Sequence, residues 1–578
     1  MRDFKETYER WLKSDVINDE TRAELESLKG NDKEIEERFY RELEFGTAGM
    51  RGILGAGTNR MNIYNVRRAT TGVAKHILAL GEEAKKAGVL IGYDTRNYSR
   101  IFAEETAGVL AAHGIKVYLF DTVHSVPEVS FGIRELGCAI GVMITASHNP
   151  KEYNGYKVYG SDGGQLPPDA ADIVVDAINK CDVFDDVITV PYKEAEKSGL
   201  LEIVGAELDE KFLNAIQKQQ LTPDAVTKVA DSFKLIYTPF HGTGSRPVQA
   251  ILKRIGFKNL LVVKEQDTED GNFPTVKSPN PEDKEGFAIA IEMAKKNDVD
   301  IIIGTDPDCD RVGIVVRDAQ GEYQILTGNM IGSLLCNYIL MRKKENGTLA
   351  DNAVVIKTIV TTELAAAIAK SYGVEIMNVL TGFKYIGEKM TEFEKNGSHS
   401  YVFGFEESYG YLAGTHARDK DGVVSTMLIA EMAAYYKTKN MSLYEALQEL
   451  YKKYGYYCER TVSVVMPGKD GMEKMSALMK TLRTSPLKSV CGMDITAEAD
   501  YKTQIVTRID GTTEKIEGLP KSDVVKYSLS DGKTYFIVRP SGTEPKIKIY
   551  LASSADSMEA SEKIIDNVLE DVKKQLNI

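Results

Sequence analysis

One hydrophobic rhythm recurs three times along this chain. Each copy opens on a short apolar run, turns, continues with apolar positions at helical spacing, stops at a glycine and ends in a second apolar run. In the first copy, Val89-Leu90-Ile91-Gly92-Tyr93 leads through Asp94-Thr95-Arg96, a helix up to Ala111 and Gly114 to Val117-Tyr118-Leu119-Phe120. The second runs from Lys234-Leu235-Ile236-Tyr237 through His241-Gly242-Thr243-Gly244, a helix up to Ile255 and Gly256 to Leu260-Leu261-Val262-Val263. The third runs from Val354-Val355-Ile356 through Thr358 to Thr362, a helix up to Ser371 and Gly373 to Val374-Glu375-Ile376. Strand, turn, helix and strand in about 30 residues is the span of a βαβ unit. Three parallel or mixed α/β domains are therefore expected, with the loops at the strand C-termini open to ligands.

The flanks read differently. In residues 1–44, Trp11, Leu12, Val16, Leu25, Leu28, Phe39 and Leu43 recur among charges and predict helices. In the tail, apolar segments around Tyr457 to Val465, Val490 to Tyr501, Val524 to Leu529 and Tyr535 to Val538 precede Ile547 to Tyr550 and a closing helix. That helix has Ile565, Val568, Leu569, Val572 and Leu576 as its buried stripe and Asp556 or Ser557 as its N-cap. The expected organisation is a helical extension (1–44), three α/β domains (45–205, 206–322, 323–452) and a separate α+β domain (453–578).

Composition adds exclusions. At 578 residues the chain is too long for one core. Its 43% hydrophobic and 27% charged residues describe an ordinary globular protein. A net charge of −13 disfavours nucleic acid as a partner. The same field means that an anionic substrate needs local Arg, Lys, metal or backbone N–H groups. The six cysteines form no C-x-x-C pair, so neither a zinc framework nor a dense disulfide scaffold is expected. Met1-Arg2-Asp3-Phe4-Lys5-Glu6 opens no apolar signal region and no apolar run approaches membrane-span length, so a cytoplasmic protein with no membrane partner is expected.

The chemistry sits in loops. Thr305-Asp306-Pro307-Asp308-Cys309-Asp310-Arg311 follows the apolar run Val299 to Gly304 and spaces three carboxylates two residues apart. In an extended loop alternate side chains point the same way, so the three can converge on one hard cation, for which magnesium is suited. An EF-hand is excluded, because its sixth and twelfth positions would be Arg311 and Arg317 instead of Gly and Glu. Cys309 is expected to point away from the carboxylates.

Val142-Met143-Ile144 leads into Thr145-Ala146-Ser147-His148-Asn149-Pro150, where a serine beside an imidazole is presented just beyond a strand. No nucleophile elbow is present, so hydrolase chemistry of that kind is not supported. Phe45-Gly46-Thr47-Ala48-Gly49-Met50-Arg51-Gly52 offers backbone N–H groups and an arginine to an anion, without matching a nucleotide-binding pattern. Gly404-Phe405-Glu406-Glu407-Ser408-Tyr409-Gly410 suits vicinal hydroxyls. Arg539-Pro540-Ser541-Gly542-Thr543-Glu544-Pro545-Lys546 supplies charge-assisted donors for a phosphate.

Taken in order, TASHNP, DPDCDR, GFEES and RPSGTEPK resemble the signatures of the α-D-phosphohexomutase family, over essentially the whole chain. The helical extension with EFGTAGMRG resembles the longer branch of that family. The resemblance implies three similar mixed or parallel-sheet α/β domains and a C-terminal α+β domain around a central cleft. It implies that Ser147 is the phosphoserine and that Ser147, Asp306, Asp308 and Asp310 hold Mg²⁺. Lys157 matches the proton-transfer lysine, and Arg51, His148 and Arg311 line the reacting centre. Glu406 and Ser408 would contact sugar hydroxyls, while Thr381, Lys384 and Lys420, with Thr47 in the anion loop, would help hold substrate. Arg539, Ser541, Gly542, Thr543 and, more weakly, Lys546 would grip the phosphate that is not being transferred.

The implied activity interconverts glucose 1-phosphate and glucose 6-phosphate through glucose 1,6-bisphosphate, which serves as both activator and intermediate. A phosphopentomutase or phosphomannomutase is the alternative. A non-catalytic scaffold is disfavoured, because the serine and all three aspartates are present. Small sugar phosphates are the expected partners, and the expected state is a monomer or homodimer.

Overall fold

Each predicted βαβ unit is the first part of a four-strand unit, and the three units share one topology in the computed structural model, which describes residues 3–46, 49–466, 469–541 and 546–578. In domain I the strands are Val89–Tyr93, Val117–Phe120, Ile140–Ile144 and Tyr153–Gly160. In domain II they are Lys234–Thr238, Asn259–Val262, Ile301–Thr305 and Val312–Arg317. In domain III they are Ala353–Thr358, Glu375–Val379, Ser400–Glu406 and Gly410–Ala413. The spatial order is second, first, third, fourth every time. The first three strands run parallel, while the fourth returns antiparallel beside the third.

The first and third strands of domain I and the third of domain II are buried at every residue. This is what a parallel sheet covered on both faces requires, and it explains their unbroken apolar runs. The Ser147, Asp306–Asp310 and Glu406–Ser408 motifs therefore occupy one topological position, the loop joining third to fourth strand. Each of these loops turns on one non-glycine residue with positive φ: Ser147 at 51°, Cys309 at 53° and Tyr409 at 67°.

Domain I extends its sheet with Phe45–Gly46 and Gly49–Ile53 beside the fourth strand, and with Leu201–Val204 at the far edge. Gly49 lies opposite Lys157 with φ of 118°, and a Cβ there would stand 2.0 Å from the Tyr156 carbonyl oxygen, so only glycine fits. The extension folds as helices Phe4–Lys13, Asp19–Ser27 and Asp32–Phe39. Trp11 sits at its centre, packed edge-on against Phe39, Tyr64 and Phe184. Val16 departs from the expected apolar stripe: it lies in the turn between two helices and is 50% exposed.

Helix Gly422–Lys437 is buried through Tyr436 and joins a core shared by domains I, II and III. An apolar helix buried all round is the expected form for such a position. Domain IV keeps its own core. It meets domain III through a patch of Ile359, Val360 and Leu380 against Tyr535, Ile537 and Tyr550. Its sheet includes Tyr456–Val465, Lys546–Ala555, Tyr535–Pro540, Val525–Leu529 and Met493–Asp500 in spatial order. The closing helix, Met558–Leu576, is capped by Ser557 and buries Ile565, Val568, Val572 and Leu576, with Leu569 partly buried. A further helix, Lys469–Thr484, was not predicted. Among the described residues no helix is long and apolar enough to cross a membrane, and the six cysteines are free.

Candidate active site

Ser147 stands three residues beyond the third strand of domain I and is only 3% exposed. Its Oγ donates to Asp306 Oδ2 at 2.8 Å and lies 3.1 Å from His148 Nδ1. Its backbone N–H donates to Thr145 Oγ1 at 2.8 Å, and the Thr145 hydroxyl donates to Asp308 Oδ2 at 3.2 Å. The hydroxyl motif of one domain is thus locked to the acidic motif of the next. Burial, reinforced by the charges of Arg311, Arg51, Arg96 and Lys157, holds the His148 pKa well below the usual imidazole range. The ring beside the serine is therefore neutral at physiological pH.

The three carboxylates do converge: one oxygen from each of Asp306, Asp308 and Asp310 lies within 4.8 Å of the others. The expected route, alternation along an extended loop, is not the one observed. The Cys309 N–H donates to the Asp306 carbonyl at 2.9 Å, and Asp306 Oδ1 accepts the N–H groups of Asp310 and Arg311 at 3.1 and 3.0 Å. This is a tight turn closed by its own first side chain. Cys309 points into the core, as expected.

Two lysines offset the buried charge. Lys157 Nζ is 2.9 Å from Asp308 Oδ2 and 3.6 Å from Asp310 Oδ2, and Lys420 Nζ is 3.2 Å from Asp310 Oδ2 and 2.9 Å from Asp419 Oδ1. Burial raises the Asp306 pKa well above the carboxylate range, and the charges of Asp308 and Asp310 add to it. Burial pushes Asp308 up as well, but the adjacent Lys157 ammonium, a hydrogen bond with Asp306 and the Lys420 charge together outweigh it, and the net direction is down. Asp308 Oδ1 and Asp310 Oδ1 are buried and accept no hydrogen bond. Unsatisfied carboxylate oxygens in an all-oxygen triad fit a hard divalent cation, because a metal supplies the partner these atoms lack.

On domain III, Glu406 Oε1 accepts the Gly382 N–H at 2.9 Å. Burial raises its carboxyl to about 7, against the opposing charge of Lys420. The neighbouring Thr381 hydroxyl is buried without a hydrogen-bond partner. Lys384 lies on helix Phe383–Asn396, 5.0 Å above the Tyr385 ring, and burial lowers its pKa. Ser408 follows Glu406 and Glu407 in the loop and is partly buried.

Arg51, on strand Gly49–Ile53, reaches Asn149 Oδ1 at 2.9 Å and so joins the Ser147 loop. Arg311 pairs with Glu282 at 2.9 Å. On domain IV, the Ser541 N–H donates to the Lys546 carbonyl at 2.8 Å, closing the loop after Arg539. The Arg539 charge acts on Tyr385 and Glu407 of domain III. Thr47, Gly542 and Thr543 lie outside the described residues.

Ser147, His148, Lys157, Lys420 and the aspartates form one contact network, with Arg51 and Arg311 at its edge. Thr381, Lys384, Glu406 and Ser408 belong to domain III beside it, and Arg539, Ser541 and Lys546 to domain IV. Sequence reading missed Glu282, Asp419 and Arg96. Asp419 had a signal, adjacency to Lys420, and Arg96 stood in a turn already noted. Nothing in the sequence tied Glu282 to Arg311.

Comparison with known proteins gives a consistent picture. Models of the phosphoglucomutase/phosphomannomutase alpha/beta/alpha domains I, II and III match residues 42–183, 210–321 and 327–454, and the model of the C-terminal domain matches 486–570. The phosphoglucomutase of Staphylococcus haemolyticus is 36% identical over 535 residues, covering 92% of this chain and 94% of that protein. The Staphylococcus epidermidis phosphoglucomutase is 37% identical over 538 residues, covering 93% and 95%. The open form of pp63/parafusin, a phosphoglucomutase from Paramecium, superposes with a TM-score of 0.66 at 19% identity, over 93% of this chain and 96% of its own. A phosphoglucomutase/phosphomannomutase family protein from Burkholderia thailandensis superposes at 0.65 with 17% identity, over 91% and 97%. These two structures share the fold.

Proposed function

The chain belongs to the phosphoglucomutase/phosphomannomutase family, and from that premise we propose that it interconverts glucose 1-phosphate and glucose 6-phosphate with Ser147 as the phosphoryl carrier. The observation that carries this reading is the buried Ser147 hydroxyl, 2.8 Å from Asp306 within the carboxylate triad. The glucose-phosphate preference is supported by the two staphylococcal phosphoglucomutases.

In the proposed reaction the C6 hydroxyl oxygen of glucose 1-phosphate attacks phosphorus on phosphorylated Ser147. The new O6–P bond forms as the P–Oγ bond breaks, giving glucose 1,6-bisphosphate. The sugar turns end for end, Ser147 Oγ attacks the phosphorus on O1, and the new Oγ–P bond forms as the O1–P bond breaks, leaving glucose 6-phosphate. Such transfers depend on in-line positioning and charge neutralisation more than on covalent assistance. Lys157, buried beside Asp308, is the proposed donor and acceptor of the proton exchanged between Oγ and O6 in the first transfer and between Oγ and O1 in the second. Arg51, His148 and Arg311 surround the reacting phosphoryl group.

Asp306, Asp308, Asp310 and a phosphate oxygen on Ser147 are the proposed ligands of Mg²⁺, which when bound would neutralise charge on the transferring group. Glu406 and Ser408 are assigned to sugar hydroxyls, with Thr381, Lys384, Lys420 and Thr47 holding substrate. Arg539, Ser541, Gly542, Thr543 and Lys546 are assigned to the resting phosphate. Domain IV, proposed as 453–578, has a separate core and meets domain III through the Ile359, Val360 and Leu380 patch and through Tyr456 and Tyr457 at its first strand. This supports a closing motion that shuts water away from the phosphoserine. The other proposed limits are 1–44, 45–205, 206–322 and 323–452.

The test compares kcat/KM for the 1-phosphates of glucose, mannose and ribose by phosphorus NMR, with Mg²⁺ and a trace of glucose 1,6-bisphosphate. Fastest turnover of the glucose ester supports the reading. A preference for ribose or mannose would make the protein a phosphopentomutase or phosphomannomutase with the same machinery, and no turnover would contradict mutase activity altogether.

A further inference from the structure

In each α/β domain the loop after the first strand grips the loop after the third. In domain II the Thr243 N–H and hydroxyl both hold the Pro307 carbonyl, at 2.8 and 2.9 Å. In domain III the Thr358 and Thr361 hydroxyls reach Glu407 Oε2 at 3.5 and 3.4 Å. In domain I the grip is made by Arg96, whose side chain is 0% exposed. One guanidinium nitrogen donates to the carbonyls of Ser147 and Asn149. Another donates to the carbonyls of Pro150 and Tyr153 at 2.9 and 3.1 Å.

The guanidinium is itself fixed on two sides. Asp94 Oδ2 lies 3.4 Å from Arg96 Nε and is equally buried. Asp94 is itself held, its Oδ1 accepting the Arg96 backbone N–H at 3.0 Å and the Ser99 hydroxyl at 2.7 Å. The Phe273 ring of domain II lies 5.0 Å from the guanidinium carbon. Two guanidinium nitrogens at fixed separation reach four carbonyls of this loop together, a geometry that the single nitrogen of an ammonium does not reproduce. Serine at φ of 51° is in a strained region that persists only when its surroundings impose it. Here the surroundings include the Arg96 bonds to the Ser147 carbonyl and to the residues just after it, beside the Ser147 N–H bond to Thr145 Oγ1.

We propose that Arg96 is the positioning residue of the phosphoryl-carrying serine: it holds Ser147 in the left-handed conformation that aims Oγ at Asp306, and sets Asn149 where Arg51 meets it. Arg96 acts through Ser147, and the inference rests on the reading of Ser147 as the carrier.

The test uses Arg96→Ala and Arg96→Lys in the full chain, with folding checked by circular dichroism. The expected result is a fall in kcat of about 100-fold in both, the scale of a displacement near 1 Å at a reacting centre, with KM for glucose 1-phosphate essentially unchanged. Guanidinium chloride at a non-denaturing concentration should restore kcat in Arg96→Ala and leave Arg96→Lys and wild type unimproved. A purely structural role would not give that rescue. Wild-type kcat in either folded variant would overturn the proposal, as would a rise in KM at constant kcat or a failure of rescue in a folded Arg96→Ala. Should Arg96→Ala not fold, kcat in Arg96→Lys, which keeps the charge beside Asp94, decides. Labelling by radioactive glucose 1,6-bisphosphate separates the two levels. Label on wild-type Ser147 with unimpaired labelling of the variants overturns this inference alone, and no label on wild-type Ser147 overturns the carrier reading beneath it as well.

Discussion

Lys157→Met removes an ammonium 2.9 Å from Asp308 Oδ2 and 3.6 Å from Asp310 Oδ2, where the lysine side chain is 11% exposed and the carboxylates 0% and 2%. Methionine keeps a flexible apolar stem, so the substitution is mainly a loss of charge. Breaking a buried ion pair by deleting one partner costs about 3–5 kcal/mol, because the remaining charge is left uncompensated. Lys420 still stands 3.2 Å from Asp310, which places the expected loss in metal-free protein near the lower end, about 3 kcal/mol. At about 2–4 °C per kcal/mol for a domain of this size, the first thermal transition should fall by roughly 6–12 °C.

Magnesium should recover most of that loss, because a ligand at 100 times its Kd stabilises by about 2.7 kcal/mol. The variant also lacks the ammonium that neutralises these carboxylates in the metal-free protein. The Mg²⁺-induced rise in Tm should therefore be larger in the variant than in wild type. Turnover should nonetheless drop by about 10²–10⁴-fold, the contribution of a positioned proton-transfer group. Differential scanning fluorimetry with EDTA or Mg²⁺, alongside steady-state kinetics, reads both effects. An unchanged metal-free Tm, or equal Mg²⁺ shifts in the two proteins, would refute the view that Lys157 offsets the triad. Wild-type turnover would remove it from proton transfer.

Three further outcomes are expected. Ser147→Ala should abolish turnover while leaving circular dichroism and substrate binding nearly intact, and full activity in it would remove the phosphoserine mechanism. Arg539→Ala should weaken substrate capture by about 2–5 kcal/mol, the cost of losing one partner of a buried charged contact; unchanged KM and kcat would show that this loop does not hold the phosphate. Burial pushes the Glu459 carboxyl from 4.5 up to about 7. A carboxyl raised in the fold contributes full stability below its unfolded value and loses it as pH climbs through the folded one, a penalty of about 3 kcal/mol above pH 7. Glu459→Gln should therefore be more stable than wild type at pH 8 and show a shallower pH dependence between 4.5 and 7 in urea unfolding, and an identical pH profile in the two proteins would contradict the assignment.

The strands that begin each α/β unit were legible because their central residues, Leu90-Ile91, Leu235-Ile236 and Val354-Val355-Ile356, are apolar and buried. The antiparallel fourth strand of domain I, Tyr153–Gly160, was not, for a physical reason. That strand spends its positions on Asn154, Gly155 and Lys157, which serve the site instead of the core. Helix Lys469–Thr484 carried a readable stripe at Met475, Met479 and Leu482 that strand patterns on either side obscured. The acidic triad was legible as a constellation, yet its convergence comes from a turn around the Asp306 carboxylate, which spacing alone does not encode. Partners such as Glu282 for Arg311 and Arg96 for the Ser147 loop arise where separate segments meet in the folded chain, so no local pattern announces them.

The central claim is that the phosphoryl group passes through Ser147. The direct measurement is to treat the protein with Mg²⁺ and glucose 1,6-bisphosphate carrying radioactive phosphoryl groups, map the labelled peptide by mass spectrometry, and chase with unlabelled glucose 1-phosphate. The account predicts label on Ser147 that moves onto the sugar during the chase at a rate no slower than turnover. Label on another residue, or on Ser147 but retained through many turnovers, would contradict it.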